Sequence, residues 1–150
     1  MVHRGIRCLA GRLAGTALLA SALLAGMPAA HADEALYQAF GGEAGLQKLA
    51  DDFIINLYAD PRTKPYFAKA SIKRLRAKFA EHFCFQIGGP CKYTGSSMKS
   101  VHSNLKIDRA AFNAVVEDLQ DAMDKNGIPF HAQNALLAKL APMHRDIETR

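Results

Sequence analysis

The sequence predicts an all-α fold, and three observations carry that expectation. Apolar residues recur at three- and four-residue steps in several segments, the spacing that lines one face of a helix. No stretch alternates apolar and polar residues over a useful strand length. Gly-Gly, Asn-Gly and Pro interrupt the periodic segments where helices would end.

The first segment reads differently from the rest. Arg4, Arg7 and Arg12 give a positive start, Leu13 to Met27 is apolar apart from small residues, and Ala30-His31-Ala32 offers small residues around a cleavage point. That is the pattern of a secretory signal peptide over residues 1–32, cut after Ala32. The apolar run is short for a spanning helix, which needs about 20 residues; the competing reading is an uncleaved anchor. Export, with a periplasmic destination, is the expectation. One domain over residues 33–150 remains, 118 of the 150 residues, enough for a single thin core. The leader carries three arginines and no acid, so 19 basic residues become 16 against 14 acidic ones, a net of +2. No basic stripe with interleaved aromatics argues for nucleic acid, and no membrane contact is expected after cleavage. Lys73, Arg74, Arg76 and Lys78 read as a solvated helix face.

Within the domain, Glu34 to Phe40 is a short helix that Gly41-Gly42 ends. Leu46, Leu49, Ala50, Phe53, Ile54 and Leu57 mark an amphipathic helix. Asp60-Pro61 suits a cap and first helical position for a short turn reaching Phe67. Ser71 caps the next helix, which carries Ile72, Leu75, Phe79 and Phe83 and stops before Gly88. Asp108 caps a helix with Phe112, Val115, Val116, Leu119 and Met123 on one face. Asn126-Gly127 ends it, and Pro129 starts a last helix that Pro142 should kink or split.

Cys8 leaves with the leader, so Cys84 and Cys91 remain. In an oxidising compartment they suit a disulfide tethering the Gly88-Gly89-Pro90 turn, worth about 2–3 kcal/mol for so short a loop; the other reading is two free buried thiols. Their spacing is neither CxxC nor CxxCH, so neither a thioredoxin-like motif nor covalent c-type haem attachment is supported.

The chain is organised around the run from Gly88 to His102, GGPCKYTGSSMKSVH. Met98 and His102 are four apart and share one face of a short helix. This run resembles the segment leading to the proximal histidine of group I truncated haemoglobins, the bacterial-like globins. The likeness continues in Phe40-Gly41-Gly42 with Gly45-Leu46, in Asp51-Asp52-Phe53, in Leu57-Tyr58-Ala59-Asp60, in Tyr66-Phe67 and in Phe112 to Leu119. It covers about residues 35–148, and several motifs in order are far more specific than one glycine pair.

The resemblance implies a truncated globin fold, a two-over-two helical sandwich around non-covalently held haem b. His102 falls at the proximal iron ligand, and neutral imidazole suits that role. Phe53, Phe67, Phe79 and Phe112, with Leu75, Val115 and Leu119, would wall the haem. Lys78 could reach a propionate. His131 and His144 lie on or near solvated faces. One departure matters: the family often has a tyrosine where this chain has Ile54, and often glutamine at Leu75 or Phe79. An apolar roof of Ile54, Leu75 and Phe79 lacks the usual donor to bound oxygen.

Three functions follow as expectations. The first is reversible binding of a diatomic gas (oxygen, nitric oxide or carbon monoxide), in oxygen or nitric oxide chemistry. The second is a six-coordinate electron-transfer protein with a redox partner, Lys78 or His82 filling the sixth position. The third is a haem-free helical interaction domain. No acid–base or nucleophile constellation marks a dedicated enzyme, although nitric oxide dioxygenase-like activity is compatible with the resemblance.

Overall fold

Glycines make the first corner. The structure, a computed structural model, describes residues 29–149. Helix α1 (Ala29–Ala39) joins α2 (Gly42–Ala59) through Gly41 and Gly42, at φ +78° and +63°, where side chains other than glycine are strained. Gly45 has a different reason. A Cβ there would lie 1.9 Å from the Phe40 carbonyl oxygen, so the corner's backbone rests directly on the first turn of α2. The contact seats Phe40 in the core, 2% exposed. The expected leader lies outside the described residues except for its last four, and α1 runs across the expected cleavage point.

The apolar line of α2 is buried at all six expected positions, Leu46, Leu49, Ala50, Phe53, Ile54 and Leu57. The next turn corrects an expectation. Asp60 does not cap it; α3 is Lys64–Phe67, begins after Thr63 and holds Pro65 in its first turn. The Asp60 carboxylate instead accepts from the Arg62 backbone N–H at 2.7 Å and from the Arg62 guanidinium. It closes a turn on its own neighbour, a use of Asp that competes with capping.

Ser71 caps α4 (Ile72–Gln86), and Gly88 follows its end at φ +78°. Ser97 caps the five-residue α5 (Met98–His102). Asp108 caps α6 (Arg109–Lys125), accepting from Ala111 N–H at 2.8 Å. α7 (Phe130–Leu140) follows Pro129. Pro142 splits the last helix as expected: a 3₁₀ turn at Ala141–Met143 separates α7 from α8 (His144–Ile147).

Helix α2 packs on both α4 and α6, and α7 packs on both as well, which gives the two-over-two arrangement. Leu46, Leu49, Leu57, Ile87, Met123 and Leu136 are fully buried at its centre. On α6 the deepest residues are Ala111, Ala114, Asp118 and Ala122 with Leu119 and Met123, whereas Phe112, Val115 and Val116 are half-buried. Of the expected face, Leu119 and Met123 lie in the core and Val115 packs against it.

α8 returns to α5 and packs on it. The chain is held there by Thr149, whose N–H donates to the Ile107 carbonyl at 2.9 Å and whose Oγ1 accepts from Ile107 N–H at 3.0 Å. Arg109 donates to Glu148 at 3.3 Å.

Asp52 ties α2 to the end of α6. It accepts from Lys125 at 2.8 Å, Asn126 at 2.8 Å and Lys48 at 3.1 Å, and Lys125 above all holds its pKa down to about 2. A depressed carboxylate stabilises the fold above its unfolded pKa and stops doing so as pH falls through the folded value. Because both lysines are largely exposed, solvent screening leaves on the order of 1 kcal/mol. Asp52→Asn should therefore unfold at lower urea concentration than wild type at about pH 6 and match it at about pH 2. An equal gap at both pH values would contradict this assignment.

Candidate functional site

His102 is the last residue of α5 and is half-buried. Its Nδ1 lies 2.7 Å from the Met98 carbonyl oxygen. A carbonyl only accepts, so Nδ1 carries the proton and Nε2 keeps its lone pair. Burial lowers the pKa of His102, and the Met98 hydrogen bond opposes that only in part. The result is a neutral, oriented imidazole with one free nitrogen, the state a metal ligand requires. The Met98-to-His102 spacing of one helical turn produces it locally.

Around His102 the helices are not closed on one another. α4 packs on α2 and α7, and α5 packs on α8; among the described residues, extensive packing of α4 on α5 or α6 is absent. The expected wall residues divide accordingly. Phe53 and Leu119 are sealed in the core, and Phe67, Phe79 and Val115 are half-buried against it. Leu75 and Phe112 are also half-buried. The Phe53 and Phe79 rings meet at 4.9 Å, and Phe83 completes the cluster at 6.0 and 5.9 Å. Phe112 faces the His144 ring at 6.3 Å. His144 is half-buried rather than solvated, while His131 is exposed. A flat apolar cofactor with a metal centre fits this set: a free imidazole nitrogen, aromatic and aliphatic neighbours, and helices left apart.

Ile54 is buried, 5% exposed. It also lines a cleft of about 320 Å³ between α2 and the start of α4, with Asp51, Ile55, Tyr58, Ile72 and Arg76. The structure therefore places Ile54 beside Ile72 as well as one residue from the Phe53 cluster.

Both candidates for a sixth ligand are engaged elsewhere. Lys78 donates to the Glu81 carboxylate at 2.8 and 2.7 Å and to Thr94 Oγ1 at 2.5 Å. His82 is buried, and its Nε2 lies 3.1 Å from Gln86 Nε2. A side-chain amide nitrogen only donates, so the His82 Nε2 lone pair is occupied. Burial lowers the His82 pKa, and its ring rests on Tyr93 at 4.9 Å. Sequence reading missed Glu81, Thr94 and Tyr93. Only the Lys78–Glu81 step of three was visible as a helix pair.

Cys84 and Cys91 are joined as a disulfide with Cα atoms 5.8 Å apart. The turn fits against it: Gly89 N–H donates to the Cys84 carbonyl at 2.8 Å, and a Cβ on Gly89 would meet Cys84 Sγ at 2.7 Å. Mass spectrometry of unreduced protein should find no alkylated thiol. Reduction should lower stability by about 2–3 kcal/mol. Complete alkylation without reductant would contradict the pairing.

The family model for bacterial-like globins matches residues 35–149. The chain is 32% identical over 114 residues to the group 1 truncated haemoglobin GlbN of Mycolicibacterium paratuberculosis, covering 76% of this chain and 84% of that one. It is 30% identical to the protein of the same name from Synechocystis sp., covering 73% and 93%. Among solved structures, the truncated haemoglobin of Tetrahymena pyriformis in its Fe(III) form superposes with a TM-score of 0.73 at 21% identity, over 77% of this chain and 98% of that one. A 2/2 haemoglobin from Synechococcus sp. with covalently attached haem gives 0.71 at 19% identity, over 77% and 98%. The helical order, the crossed pairs and the sequence likeness lead to one assignment: the chain belongs to the bacterial-like globin family, among the group 1 truncated haemoglobins.

Proposed function

We propose that this globin holds haem b non-covalently through His102 and binds a diatomic gas on the opposite face of the iron, in oxygen or nitric oxide chemistry. The observation that carries the reading is the His102 imidazole, fixed through Nδ1 to Met98 with Nε2 free. Bound haem supplies an iron centre for the gas. The chain's residues do the rest. His102 orients and donates its lone pair, and Phe53, Phe67, Phe79, Phe112, Leu75, Val115 and Leu119 exclude water from the apolar ring. Ile54 adds no hydrogen-bond donor. Lys78 stands at the cofactor's edge. Non-covalent attachment is supported by the cysteines, since Cys84 and Cys91 are bonded to each other and no CxxCH occurs.

A periplasmic location belongs to the same proposal. The leader-like residues 1–32 support it, and so does the disulfide, because such bonds persist in oxidising compartments. Cell fractionation tests it, and a cytoplasmic, full-length product would overturn it. The haem reading is tested by titrating purified protein with haem. One equivalent should give a Soret band, and acidic organic extraction should leave colourless protein. No Soret band after an equimolar addition would overturn the reading.

A further inference from the structure

The loop over residues 88–97 is fastened to α4 at three successive levels. Cys91 is bonded to Cys84, the Tyr93 ring rests on His82, and Thr94 meets Glu81. The third level contains an ion pair with an unusual number of partners. The Glu81 carboxylate accepts from Thr94 N–H at 3.1 Å, from Thr94 Oγ1 at 2.8 Å and twice from Lys78. Lys78 has three ammonium hydrogens and three acceptor contacts, two on Glu81 and one on Thr94. The two side chains are only 29% and 30% exposed.

Position gives this cluster its meaning. Leu75, Lys78 and His82 follow steps of three and four along α4 and share a face. Lys78 and His82 both touch the loop that leads into α5, the helix that carries His102. A lysine there would be a competitor for the iron, except that an ammonium has no lone pair to donate. Glu81 grips the ammonium through both carboxylate oxygens.

We propose that Glu81 and Thr94 are positioning residues that hold Lys78 away from the haem iron and so keep its gas-binding face open. The proposal rests on the haem reading above. Without the Glu81 charge, the flexible four-carbon stem of Lys78 is released. A neutral amine on that stem would have a lone pair to offer the iron, were haem held as proposed.

The test compares optical spectra of the haem-loaded wild type, Glu81→Gln, Thr94→Val and the double variant Glu81→Gln with Lys78→Met. Circular dichroism verifies that each is helical. Wild type should be high-spin when ferric and five-coordinate when ferrous. Glu81→Gln should become low-spin and six-coordinate, and Thr94→Val should move partly that way. Carbon monoxide binding to Glu81→Gln should slow about tenfold if Lys78 occupies the iron nine-tenths of the time. The double variant should return to the wild-type spectrum. Wild-type spectra in both Glu81→Gln and Thr94→Val would overturn the clamp and leave the haem reading standing. A low-spin spectrum that survives Lys78→Met would overturn the assignment to Lys78. A wild type that binds no haem would overturn both readings together.

Discussion

His102→Ala should retain its helices and lose its haem. α5 contributes no buried residue to the core, so removing one imidazole from its end leaves the α2, α4, α6 and α7 packing intact. Haem retention is another matter. Removing outer partners of metal ligands already costs 10–100-fold in affinity, and removing the ligand itself should exceed about 100-fold. The expected result is wild-type far-ultraviolet circular dichroism with no stable Soret band at equimolar haem. Exogenous imidazole should restore much of the band, because the truncation leaves space where the ring stood. A His102→Ala protein with an unchanged spectrum would show that another residue holds the iron.

Ile54→Tyr should slow oxygen release by about 10–100-fold. With Ile54, Leu75 and Phe79 as the proposed roof, bound oxygen would meet no donor, so oxygen should leave quickly and carbon monoxide, whose bound form is less polar, should be favoured. A hydroxyl reaching a charge-separated ligand is worth about 1.5–3 kcal/mol, and each 1.4 kcal/mol is tenfold. Overpacking a buried position costs about 1–3 kcal/mol in stability. Here the adjoining cleft of about 320 Å³ gives the larger ring somewhere to settle. Flash photolysis and stopped flow on both gases make the comparison. Unchanged oxygen release would mean that the new hydroxyl turns into the cleft beside Ile72, or that wild type already has a donor.

What could be read from the sequence was mostly local. Ser71 and Asp108 cap the helices assigned to them because a cap needs only the next three residues. Gly41-Gly42 and Pro142 act through their own backbone angles and missing donor. The Met98–His102 contact is local in the same way, one helical turn apart. The failures were contests between neighbours or distant helices. Asp60 had two local uses and chose Arg62. On α6, Leu119 and Met123 were read correctly, whereas the burial of Ala111, Ala114 and Ala122 depends on neighbouring helices that α6 itself does not record. Thr94 is thirteen residues from Glu81, and only the folded loop brings the two together around Lys78. The leader-like residues fall almost entirely outside the described part of the chain.

The support of α5 by α8 has a consequence for the order of synthesis. α5 ends at His102, but the helix that packs on it begins at His144, and the Thr149–Ile107 clasp spans 42 residues. A ribosome adds about 5–20 residues per second, so the residues of α5 are made a few seconds before those of α8. Throughout that interval α5 lacks its packing on α8. The mounting of α5 is therefore assembled from both directions of the chain, and haem held through His102, as proposed, would gain that support only once α8 is in place. A chain stopped before residue 144 would carry His102 without the helix that packs on α5.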